Sequence, residues 1–168
     1  MTELDQMWSV MLNEASQNAA GSGHSDVADY LHLRSTNDAI RTAGVSWLID
    51  AAIEIASEMQ ASRRHLTIER EEPYRFAHDR TQAVGSALHL RHGVRCLTLE
   101  TGWTRTPTDG VMPGGALAIA RLRHYGMPRS NATMLLGLAD PLPIWRIAES
   151  SESINSDYLR THIEVVVQ

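Results

Sequence analysis

Two alternating runs, residues 86–91 and 94–103, place His89, Arg91, Cys96, Thr98 and Glu100 close together around His92-Gly93. A two-residue turn at His92-Gly93 predicts a hairpin, because glycine takes positive φ easily and histidine tolerably. In that register Leu88 opposes Leu97, His89 opposes Cys96 and Ala87 opposes Thr98. One face then holds Leu88, Leu90, Leu97 and Leu99, and the other holds His89, Arg91, Cys96, Thr98 and Glu100. A neutral imidazole beside a thiol is the minimum arrangement for making a thiolate nucleophile, so His89 is a candidate base with Cys96 and Glu100 beside it. The same residue types also suit a solvent-facing strand pair, in which Arg91 and Glu100 form a surface ion pair contributing under about 1 kcal/mol.

Just upstream, Glu69, Arg70, Glu71, Glu72, Arg75, His78, Asp79 and Arg80 crowd a second polar stretch. Carboxylates near a histidine can do acid–base work when burial separates their pKa values, which makes His78 a second candidate base. A solvated cross-strand network of Glu and Arg is the competing reading. All fifteen basic side chains are arginines, and eight of them fall between Arg63 and Arg105 beside four of the eight histidines. Arginine presents a rigid fork of donors that matches carboxylates and phosphates. Arg75 and Arg91, with Cys96 and Glu100, are therefore the expected contacts to a small anionic ligand. Alternation sets Arg95 on the face opposite Arg91, so one of the two is expected to pair with Glu69, Glu71 or Glu100.

Composition excludes several chemistries. Without lysine there is no Walker-type phosphate loop, Schiff base or lysine general base. No HExxH, CxxC or paired-histidine pattern predicts a metal site, and no cofactor is expected. A net charge of −5 and a pI near 5.9 argue against a nucleic-acid partner. The charge is unevenly placed: residues 1–62 carry nine acids against two arginines, and residues 63–105 carry eight arginines against five acids. An acidic helical half set against a basic sheet half, within one chain or between copies, follows from that split. The longest apolar stretch, residues 43–56, is broken by Asp50 and Glu54 and is too short for a membrane span of about 20 residues. A single cysteine and no leader-like start predict a soluble, cytoplasmic chain.

The elements that must position these residues are read from periodicity. Thr2 and Asp5 resemble a capping box ahead of Leu4, Met7, Trp8, Met11, Leu12 and Ala15, a helical stripe ended by Gly21 and Gly23. A short second helix starts at Ser25. A third starts near Ser35 or Thr36, with Ile40, Ala43, Trp47, Leu48, Ala51, Ala52, Ile55 and Met59 as its buried face and Val45, Ile49 and Ile53 widening it. Trp8 and Trp47 are expected in the core, and Gly44 at a close packing contact. After Arg64 the period falls to two: residues 66–70 and 74–78 are strands interrupted by Pro73, then the hairpin follows. Residues 116–125 are read as a strand rather than a helix. Further strands are expected at 133–138, 144–148 and 163–167, with a break at Asp140-Pro141.

Gly114-Gly115-Ala116-Leu117-Ala118 resembles the Gly-Gly-Ala-Leu-Ala start of the central helix in hot-dog-fold thioesterases. That resemblance implies a helix N-terminus polarising an acyl carbonyl, although Pro113 stands where the family usually has histidine. The order of elements predicts an α+β fold, with N-terminal helices packed on a curved antiparallel sheet of five to seven strands. It forms a single domain over 1–168, helical over 1–64 and sheet over 65–168. Two functions follow: a protein binding a small anionic ligand in a sheet-lined pocket, or a non-catalytic homo-oligomeric scaffold or protein-interaction subunit. An acyl thioesterase is the third.

Overall fold

A computed structural model describes residues 3–62, 65–139 and 142–168, with the side chains of 3–5 and 62 left aside. The Thr2 and Asp5 cap, Arg63, Arg64 and the Asp140-Pro141 break lie outside the described residues. Helix α1 spans Glu3–Gly21 and α2 spans Ser25–Ser62. The expected boundary near Ser35 is absent, because no glycine or proline stands between Ser25 and Ala43 to stop the helix. Strands β1 (Leu66–His78), β2 (Thr81–His92), β3 (Arg95–Trp103), β4 (Ala118–His124), β5 (Ala132–Ala139) and β6 (Leu142–Ile147) follow, and α3 (Ser156–Val167) comes last. The strands form one six-stranded antiparallel sheet in sequence order. The fold is thus α+β, with N-terminal helices preceding an antiparallel sheet.

The chain divides into two compact units, Met1–Ala43 and Gly44–Gln168. In the first, α1 and the opening half of α2 form a helical hairpin closed at Gly23, whose φ of 80° suits glycine. Ser16 Oγ donates to the Ala28 carbonyl at 3.1 Å, and the Arg34 guanidinium lies 5.2 Å from the Trp8 ring centre. Leu12 and Ala28 alone among its described residues are buried. Trp8, expected in the core, is 43% exposed.

In the second unit one face of the sheet and the α2 residues from Gly44 onward make the core. Val45, Leu48, Ile49, Ala52, Ile55 and Ala56 form a single buried stripe that packs in one cluster with Leu88, Leu90, Leu97, Leu99, Leu122, Met134 and Leu136. Each of these leucines, once fully removed from water, contributes about 1.5–3 kcal/mol. Trp47 lies off that stripe at 100° per residue and is 43% exposed, so the expected anchor of the core is a surface residue. Trp145 takes that place, 3% exposed, with its indole N–H donating to the Gly44 carbonyl at 2.9 Å.

Three further expectations change. Residues 66–70 and 74–78 form one strand, and its register with β2 slips by one residue between Glu71 and Tyr74, where Pro73 has no N–H to give a ladder. The β2–β3 turn is Gly93-Val94, flanked by the pair His92 and Arg95. Gly93 has φ of 59° at the first central position, as a type II′ turn demands. The run at 163–167 is the end of α3: Asn155 caps the helix by accepting from the Tyr158 N–H at 3.0 Å, and Leu159, Ile163, Val166 and Val167 make its buried side.

Candidate functional site

The face of the sheet opposite the core carries Glu100 on β3, level with Ala87 on β2 and Arg121 on β4. Its side chain is 1% exposed. Arg121 lies with Nη2 at 2.6 Å and Nε at 2.8 Å from Oε2, Arg123 Nη1 is 3.4 Å from Oε1, and the Tyr74 hydroxyl donates to Oε1 at 3.1 Å. The small Ala87 leaves room for this cluster, and the slip in β1 brings Tyr74 over it. Arg121 also donates to the Ala77 carbonyl at 2.7 Å and lies 5.0 Å from the Phe76 ring centre, tying the end of β1 to β4. A carboxylate out of water needs such charged and hydrogen-bonding partners on both oxygens to offset its desolvation. The Tyr74 phenol is held above its ordinary pKa, first by burial and then by the adjacent Glu100 charge.

His89 stands next along the same face. Its Nδ1 is 3.1 Å from Thr98 Oγ1, its Nε2 is 3.7 Å from Glu71 Oε2, and the Tyr74 ring meets it edge-on at 6.3 Å. Its partner across β2–β3 is Thr98, whereas Cys96 lies opposite Arg91. The shifted turn is the reason: moving the register by two residues keeps the faces and changes the partners. Among the described residues Cys96 Sγ reaches only Thr98 Oγ1, at 3.9 Å, so the expected imidazole–thiol pair does not form. Arg91 is exposed, and its guanidinium makes no hydrogen bond or ion pair among the described residues.

The other expected residues do not join them. Arg75 pairs with Val84, which stands on the opposite face of β2 from Arg91, and its Nη1 lies 3.8 Å from Asp109 Oδ1. Asp109 is held below the usual carboxylate range by hydrogen bonds from the Thr106 backbone and side chain. His78 pairs with Thr81 at the far end of the β1–β2 ladder from His89, with Nε2 3.7 Å from Asp79 Oδ2. Arg95, one of the two arginines of which one is expected to pair with a glutamate, donates to the Val165 carbonyl at 2.7 Å in the last turn of α3, where the helix dipole favours a cation.

Other polar groups went unseen in the sequence. Arg121 and Arg123 were signalled only by alternation along β4. His124 and His162 meet at 2.9 Å, Nε2 to Nδ1, with Tyr158 packed on His162. The expected strand at 163–167 begins one residue after His162, so nothing in the sequence set that histidine on a helix beside β4. Burial lowers the His124 pKa, and burial with the His124 charge lowers that of His162 to about 4. The His124 Nδ1 is buried without a hydrogen-bond partner among the described residues.

A groove of about 200 Å³ lies between the Gly114-Gly115 turn, Leu135 and Gly137 of β5, and Arg146 with Ser151. It is smaller than the about 300 Å³ at which small-molecule pockets begin. Gly114-Ala118 forms a 3₁₀ turn and the start of β4, so the helix implied by the thioesterase resemblance is absent. Among the described residues no three His, Cys, Asp or Glu side chains could hold a metal ion together, and no helix is long and apolar enough to cross a membrane. No protein-family model, curated protein or solved structure matches the chain.

Proposed function

We propose that this protein is a non-catalytic oligomeric subunit whose N-terminal helical hairpin docks against the hairpin of a second copy. The observation that carries this reading is the imbalance of the hairpin itself. Met7, Trp8, Val10, Met11, Val27, Tyr30 and Leu33 are 43–61% exposed, while among the described residues of the hairpin only Leu12 and Ala28 are buried. Met7 and Met11, Trp8 and Met11, Val27 and Tyr30, and Tyr30 and Leu33 are three or four residues apart and so share helix sides. At about 200 Å² per large side chain, those fractions leave about 750 Å² of these residues in water. A stable interface buries about 800 Å² on each partner, and an isologous dimer presents the same patch twice. The candidate catalytic and ligand residues lend no rival support, since Arg75 and Arg91 stand on opposite faces and His78 and His89 at opposite ends of β1–β2.

Light scattering on purified variants tests the reading. Met11→Asp and Tyr30→Asp each place a charge in the proposed contact and should convert the dimer to a monomer. Val94→Asp changes an equally apolar residue, 92% exposed in the β2–β3 turn, and should leave the dimer intact. Loss of the dimer in the Val94 variant alone would overturn the assignment to the hairpin.

A further inference from the structure

Two arginines on the open face of the sheet are left over once Glu100 is neutralised. Arg121 holds Oε2 at bonding distance through two nitrogens, so Arg123, 58% exposed and 3.4 Å from Oε1, is surplus to the charge of that carboxylate. The Arg91 guanidinium has no partner among the described residues. The register sets both around one spot: Arg91 is level with Cys96 across β2–β3, and Arg123 is level with Thr98 across β3–β4. Two strand spacings of about 4.8 Å and an offset of two residues at about 3.3 Å each separate their Cα atoms by about 12 Å. That gap is within the summed reach of two arginine side chains and one small anion between them. The floor below is Cys96 and Thr98, and the Thr98 hydroxyl lies 3.1 Å from His89 Nδ1; in the tautomer with the proton on Nδ1 the ring donates to it and leaves its single O–H to donate upward.

We propose that this face binds a phosphoryl group across β3, with Arg91 and Arg123 gripping it from opposite sides and the Thr98 hydroxyl beneath. The chemistry selects the ligand class. A carboxylate has only two oxygens, and Glu100 spends both of them on Arg121, Arg123 and Tyr74, whereas a tetrahedral phosphoryl group offers three, enough for two arginine forks and the Thr98 hydroxyl at once. Glu69 and Glu71 lie beyond β2 on β1, so the side of the spot toward β4 is free of competing carboxylates apart from Glu100, already paired. The site is independent of the helical hairpin. It replaces the pairing of Arg75 with Arg91 expected from the sequence by one of Arg123 with Arg91.

Isothermal titration of the full chain with inorganic phosphate, referenced to chloride at matched ionic strength, tests the proposal. Saturable binding is expected, weakened about tenfold by Arg91→Gln and again by Arg123→Gln, which is the loss of about one charge-assisted contact each. Arg129→Gln, an exposed arginine elsewhere, should leave it unchanged. A parallel titration with phenyl phosphate distinguishes the sources. Tighter binding than inorganic phosphate marks a phosphoryl group carried on an organic molecule, and equal binding marks the free ion. No saturable binding beyond the chloride reference, or undiminished binding by the double variant, would overturn the site.

Discussion

Acidification should loosen α3 through the His124–His162 pair. His162 titrates at about 4 in the fold against 6.5 ordinarily, because burial and the neighbouring His124 disfavour its charge. Below pH 6.5 the unfolded chain therefore takes up a proton that the folded chain refuses. A folded pKa below the unfolded one gives stability that is complete above pH 6.5 and is lost as pH falls toward 4. Each pH unit in that window is worth about 1.4 kcal/mol, so the loss totals about 3 kcal/mol for His162, with His124 adding in the same direction. The groups facing His162 are His124 from β4 and Tyr158 from α3, whose phenol is raised by burial and by Glu149. Asp109 is held below 3.8, so its loss of stabilisation begins under this window. Urea unfolding at pH 7 and pH 4.5 measures the effect in the wild type and in His162→Phe. The variant starts less stable, since His124 loses its hydrogen bond, but its stability should fall less on acidification. Equal falls in the two proteins would refute the reasoning.

Two other substitutions probe the sheet. Glu100→Gln should cost about 2–4 kcal/mol in urea unfolding, because it leaves Arg121 partly buried beside Arg123 without a counter-charge. It should also let the Tyr74 phenol ionise at lower pH, read as tyrosinate absorbance against a Tyr74→Phe control. An unmoved Tyr74 titration would mean that the Glu100 contact is not made. Gly44→Ala would set a Cβ at 2.7 and 2.9 Å from the two methyl carbons of the fully buried Leu136, which must shift to admit it. Overpacking costs about 1–3 kcal/mol and the helix regains about 1 kcal/mol, so the variant should be neutral to about 2 kcal/mol less stable in the same assay. Combined with Leu136→Ala the two changes should be less costly than their sum, and strict additivity would contradict the contact.

The faces of β2 and β3 were legible because alternation is local: Leu88, Leu90, Leu97 and Leu99 turn inward whichever two residues make the turn. The partners across the hairpin were not, since choosing Gly93-Val94 over His92-Gly93 exchanges His89–Cys96 for His89–Thr98. Arg121 and Arg123 could not be matched to Glu100, because the register of β4 on β3 is set across residues 104–117, where no local period reaches. At the C-terminus the β-branched Val165, Val166 and Val167 read as a strand, and the Asn155 cap was the overlooked signal for a helix. Burial deceived the reading in the other direction at Trp8 and Trp47. Tryptophan is a good guess for a core, yet these two lie where the helices meet water.

Sedimentation equilibrium of the wild-type chain, at low and at high salt over a range of concentrations, tests the central claim most directly. Residues 1–43 carry six acids against two arginines, so two hairpins repel one another while their apolar sides attract. Salt screens the first effect and does not weaken the second. The account predicts a dimer, twice the 18.6 kDa of the chain, whose dissociation constant falls as salt rises. A monomer at every concentration, or a dimer that salt dissociates as an acidic hairpin on a basic sheet would be, would contradict it.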